Sequence, residues 1–185
     1  MDLTSVVFAS VFAPSGGWCA RTGADVGLVG SVHHCRGIGA RGVVNRRREV
    51  GTMKTRCTSC DISAPVEVMW ELLIDVDRWP EWGPSVRRAT LATNRFALGS
   101  RGTVRTVIGL ELPFEVTRFE EGRSWSWSVA GCPATDHVVE GRGPGLCRVT
   151  FGVPRIAAPY LVVCRIALRR LDELGRREVT SRRVP

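Results

Sequence analysis

The side chain best suited to moving a proton in this chain is His137. An imidazole changes charge near neutral pH, so a histidine facing a substrate can give or take a proton. It stands in ATDHVVEG, 134–141. As a strand, that stretch puts His137 and Val139 on one face and Asp136, Val138 and Glu140 on the other. The bland alternative is a histidine bonded to a neighbouring strand or to water at a sheet rim. Glu115 and Arg118 in LPFEVTRF fall on opposite faces, so at most one points inward. An inward arginine could stabilise a developing enolate, whereas an outward one is a solvated charge.

Cys57 and Cys60 spell C-x-x-C. Zinc would want a second ligand pair, and a redox motif would want a helix N-terminus. On a strand, positions 57 and 60 face opposite ways. Cys19, His33, His34 and Cys35 are ligand types without a zinc spacing, so no metal is expected. Gly37 to Gly42, GIGARG, fits G-x-G-x-x-G. A dinucleotide turn needs a strand before it and a full helix after it, and VVNRRREVG reaches Gly51 too soon. No cofactor is expected.

These side chains need elements to position them. KTRCTSCDI, 54–62, reads as a strand. Ser63 is a plausible N-cap for a helix opened by Ala64-Pro65, on which Val66, Met69, Trp70 and Leu73 share a face. DVDRWPEWGPSV, 75–86, holds a short second helix stopped by Gly83-Pro84, with Trp79 and Trp82 on one side. Six strand-like runs follow, at 86–93, 102–108, 112–119, 124–130, 134–141 and 146–153. Their breaks include Gly109, Glu121-Gly122, Cys132-Pro133 and GRGPG at 141–145. Gaps this short favour antiparallel hairpins. A long helix from Ile156 to Leu174 carries Tyr160, Val163, Cys164, Ala167, Leu171 and Leu174 on one face. The pattern predicts an α+β layering with that helix across the concave face of an antiparallel sheet.

The ends read differently. Residues 1–52 lack any sustained period, and they are expected to be a disordered extension or an upstream artefact, with Met53 as the natural start. Residues 53–174 form the folded domain, and 175–185 read as a flexible basic tail. The net charge of +8 lies mostly in those ends, which argues against a nucleic-acid binder with a basic stripe on its body. No apolar run is long enough to span a membrane, and Asp2 before the short run VVFASVF speaks against a signal peptide. Seven cysteines, an odd number in a chain that is not small, suggest reduced, mostly buried thiols and a cytoplasmic protein.

The segment ISAPVEVMWELLIDVDRWPEWGPSV, 62–86, resembles the opening of the START-like (SRPBCC) helix-grip superfamily, in particular its polyketide cyclase/dehydrase and lipid-transport group. Ile62, Ala64, Pro65 and Trp70 match the family's helix start. Asp75, Trp79, Pro80, Trp82 and Pro84 match its following D-x-x-x-W-P-x-W-x-P. RFEEGRSWSWSVAG and HVVEGRGPGLCRVTF are similar to later strands of the group, so the likeness covers about 54–174 and none of 1–52. The resemblance implies a curved seven-stranded antiparallel sheet gripping the C-terminal helix, with two short helices after the first strand and an apolar tunnel inside. Trp79, Trp82, Trp125, Trp127, His137, Phe151, Tyr160 and Cys164 are the residues expected to line it. The implied function is binding, and transport, of a hydrophobic small molecule such as a lipid or polyketide. A second reading is a cyclase or dehydrase using the same cavity, with His137 exchanging a proton with an enolisable ketone. A third is a protein-interaction or chaperone-type module.

Overall fold

The computed structural model describes residues 55–182. The expectations for residues 1–52, Met53, the Cys19, His33, His34 and Cys35 group, and the GIGARG stretch lie outside those residues.

Strand β1, Thr55–Ile62, ends in a tight turn and leads into helix α1, Val66–Ile74. Ser63 does not cap that helix. Pro65 holds the cap position in an extended conformation, and no side chain closes the first turn. The proline ring disfavours helical backbone at the residue before it, so the helix starts one residue after Pro65. The buried stripe of α1 is Val68, Met69, Trp70, Leu72 and Leu73, with Val66 only half-buried.

A 3-10 turn, Val76–Arg78, follows. The Asp75 carboxylate accepts the Asp77 N–H there at 3.1 Å. It runs into the one-turn helix α2, Trp79–Trp82, which closes at Gly83.

Strands β2 (Val86–Leu91), β3 (Arg101–Thr106), β4 (Glu111–Glu120), β5 (Ser124–Val129), β6 (Cys132–Gly143) and β7 (Leu146–Pro154) form an antiparallel meander. β1 closes onto β7, giving the order β1-β7-β6-β5-β4-β3-β2. The register slips between Val86 and Arg88, Val116 and Arg118, Ser126 and Ser128, and Gly141 and Gly143. Each slip bends its strand and adds twist, which is how a meander of short strands curls into a half-barrel. One expected break moves. The β5–β6 turn is Ala130-Gly131, both at positive φ, and Cys132-Pro133 already belong to β6. Pro133 is tolerated because it sits at the start of its strand.

A 3-10 segment, Arg155–Tyr160, leads into helix α3, Leu161–Ser181, which lies over β1 and meets α1 and α2. The helix gripped by the sheet is therefore as expected, but its bounds are not: Ile156 to Tyr160, expected as its first turns, belong to the 3-10 segment. The stretch from 175 onward, read as a tail, is helical as far as Ser181.

Gly175 is the reason for the difference. The first residue of the expected tail, it is instead a buried crossing point. A Cβ there would stand 2.8 Å from Met69 Sδ and 3.2 Å from Ala64 Cβ. The last turns are also tied by charge. Arg78 donates to Glu178 at 2.6 Å, and Arg182 pairs with Glu71. Gly175→Val is expected to cost about 1–3 kcal/mol by overpacking that crossing. An unchanged urea midpoint would show that the helix end is not packed there.

Candidate functional site

The concave face of the sheet presents rings from several elements to α3. Trp125 and Trp127 come from β5, His137 from β6 and Phe151 from β7, while Trp79 and Trp82 come from α2. Trp125 is parallel to Trp79, with centroids 5.5 Å apart, and to His137 at 3.8 Å. Trp127 meets Trp79 edge-on at 5.1 Å, and Phe151 meets His137 edge-on at 4.7 Å. Trp125 and His137 are direct cross-strand partners, so sheet register itself sets their stack.

The two α2 indoles have a second task. Trp79 Nε1 donates to the Leu73 carbonyl and Trp82 Nε1 to the Leu72 carbonyl, both at 3.0 Å. The last carbonyls of a helix have no partner within it, and a buried helix end must find one elsewhere. The tryptophans therefore cap α1 with their edges while their faces build the wall of the site.

Between these rings and α3 lies a cavity of about 40 Å³. All eight residues expected at the site border it: Trp79, Trp82, Trp125, Trp127, His137, Phe151, Tyr160 and Cys164. Sequence reading missed Ser85 and Thr135, which border it too. Thr135 shares the strand parity of His137, so alternation could have found it. Ser85 lies in a loop that carries no periodic signal.

The polar groups of the cavity are few. Trp127 Nε1 donates to Thr135 Oγ1 at 2.8 Å, and Thr135 Oγ1 lies 3.2 Å from His137 Nε2. His137 Nδ1 and Trp125 Nε1 are buried without a hydrogen-bond partner. Burial pushes the His137 pKa down to about 3, with the Trp125 backbone pulling weakly the other way, so the ring is neutral at pH 7. Burial likewise pushes the Cys164 thiol up to about 12, which keeps it from being a thiolate nucleophile. Tyr160 is half-buried, its hydroxyl meets Ser85 Oγ at 2.6 Å, and desolvation raises its pKa.

Other candidates fall away from the cavity. Neither Glu115 nor Arg118 points inward. Glu115 pairs with Arg101 at 3.1 Å, and the register slip between Val116 and Arg118 turns Arg118 outward as well. The cysteine expectation needs correcting. Cys60, Cys147 and Cys164 are free thiols, whereas Cys57 and Cys132 are disulfide-bonded, so Cys57 and Cys60 do not act as a pair. Parity counting on β1 puts the two on different sides and gives no hint that Cys57 is bonded while Cys60 is free. No helix among the described residues is long and apolar enough to cross a membrane.

A seven-stranded half-barrel closed over a long C-terminal helix, with an apolar cavity between, defines a helix-grip protein. The family model for "Polyketide cyclase / dehydrase and lipid transport" matches residues 31–168, more than half of the chain, and the protein belongs to that family. The match begins at residue 31, so the likeness reaches into the stretch expected to lie outside it. No curated protein matches the chain.

Solved structures share the fold. An uncharacterized protein from Bacillus thuringiensis aligns with a TM-score of 0.53 at 19% identity, over 66% of this chain and 98% of that one. The protein XoxI from Bacillus cereus gives 0.54 at 18%, over 66% and 96%. A protein from Nitrosomonas europaea gives 0.54 at 14%, over 71% and 99%.

Proposed function

We propose that the protein binds a hydrophobic small molecule in the cavity between the sheet and α3. The observation that carries this reading is the void itself. Protein interiors leave few gaps larger than a water, yet about 40 Å³ stays open here among aromatic rings from four elements. Ligand pockets for drug-sized molecules run to roughly 300–1,000 Å³, well above this volume. A ligand larger than a small ring system would have to push rings aside on entry. Apolar burial supplies the affinity, at roughly 25 cal/mol per Å².

Binding is favoured over proton-transfer catalysis on a physical ground. General acid–base work is most effective with a pKa near the working pH, and His137 is held far below it with no charged partner beside it. A cyclase or dehydrase would need its proton donor elsewhere. The neutral dye N-phenyl-1-naphthylamine is expected to bind the purified chain saturably at one site. Ala167→Leu, which adds bulk at the cavity wall on α3, should abolish that binding while the protein stays folded. Equal binding by the filled variant would place the ligand elsewhere.

Entry requires an opening. The Ser85 and Tyr160 hydroxyls join the loop after α2 to the start of α3, and both residues border the cavity. Tyr160→Phe keeps the ring and removes that bond. It is expected to speed dye association severalfold in stopped-flow mixing with little change in stability. An unchanged association rate would show that the entrance lies elsewhere.

A further inference from the structure

We propose that the Trp125 indole N–H is a polar subsite that takes an uncharged carbonyl oxygen on a flat apolar ligand, as in a ring ketone, an aryl ketone or a quinone. The proposal rests on the hydrophobic-ligand reading and adds the chemistry of the ligand's polar end.

Five tryptophans are described, and four donate their indole N–H: Trp70 to Glu121, Trp79 and Trp82 to carbonyls of α1, and Trp127 to Thr135. Trp125 alone among them does not, although it is 1% exposed. An indole N–H can only donate, and leaving it unmet in an apolar interior costs free energy that a ligand acceptor would restore.

The neighbouring polar groups are already engaged with one another. Trp127 must donate to the Thr135 oxygen. Thr135 Oγ1 also lies within hydrogen-bond distance of His137 Nε2, so these three groups satisfy one another. The imidazole is neutral whichever ring nitrogen carries its proton. The subsite therefore presents one neutral donor, the Trp125 N–H, and calls for an acceptor. No arginine or lysine borders the cavity, so a carboxylate or phosphate would enter without a counter-charge. The parallel Trp125 and His137 rings beside Trp79 suit a planar skeleton carrying that oxygen.

The test compares 1-indanone with indane, which share a ring skeleton and differ in one carbonyl. Their dissociation constants are measured by calorimetry on the full chain and on Trp125→Phe, which keeps a ring in the stack and removes the donor. The expected result is a fall of about tenfold in the preference for indanone over indane on substitution. If both compounds bind and the substitution changes them by the same factor, the subsite is wrong and the hydrophobic cavity stands. If neither binds the parent protein, both readings fail. Should Trp125→Phe not fold, the indole N–H proton resonance of Trp125 decides the matter in the parent. A downfield shift with indanone and none with indane is expected, and identical shifts with both overturn the proposal.

Discussion

Trp79→Ala is expected to lower the unfolding free energy by about 3–5 kcal/mol, the range for deleting a buried large aromatic. Three losses coincide. The ring is 1% exposed and touches Trp82, Phe96, Phe114, Trp125 and Trp127, so its removal opens a cavity in the middle of the aromatic cluster. Its N–H leaves the Leu73 carbonyl at the end of α1, where no helical partner can replace it. The stack with Trp125, which holds one wall of the site, goes as well. Since a domain of this size has only about 5–15 kcal/mol in hand, the variant should be close to unfolded at 37 °C. Urea denaturation at 25 °C measures the change. A loss below about 1 kcal/mol would mean that the ring is not part of the core and that the cavity wall has been misplaced. Trp79→Phe separates the contributions, because it keeps apolar bulk and loses the cap.

Much of this arrangement was legible in the chain, and particular residues show why. Trp125, Trp127 and Val129 alternate with serines, so their common face needed only strand parity. The short Gly-marked gaps dictated a meander. Parity fails where the strand itself is irregular, as at Val116 to Arg118, where an extra residue sends Arg118 to the same side as its neighbour Thr117. Gly175, in the stretch expected to be a tail, shows a related limit. A glycine near the end of a helical pattern reads as a stop, but close approach of two helices asks for the same residue, and only the packing partner tells them apart. The capping of α1 by Trp79 and Trp82 was invisible because it links side chains to carbonyls six and ten residues earlier. The state of Cys57 and Cys132 was equally out of reach, since pairing depends on which residues the fold brings together.

His137 carries the second large expectation, a dependence of stability on pH. In the unfolded chain a histidine takes up a proton near pH 6.5, while burial in the folded state lowers that value to about 3. Between these two values the unfolded state binds a proton that the folded state refuses. Acid therefore favours unfolding there. The contribution is present in full above about pH 6.5 and is lost as the pH falls toward about 3, at up to about 1.4 kcal/mol per pH unit. Between pH 7 and pH 5 the loss from this one group is about 2 kcal/mol. His137→Leu removes the titrating group and keeps apolar volume beside Trp125 and Phe151. Urea unfolding of the parent and the variant at pH 7, 6 and 5 isolates the effect, because every other titrating group is common to both. The difference between the two proteins should shrink or change sign as the pH falls, by about 2 kcal/mol over the interval. A constant difference would mean that water reaches the imidazole in the folded state. The interior would then be wet, and the apolar cavity on which the binding proposal rests would not exist in that form.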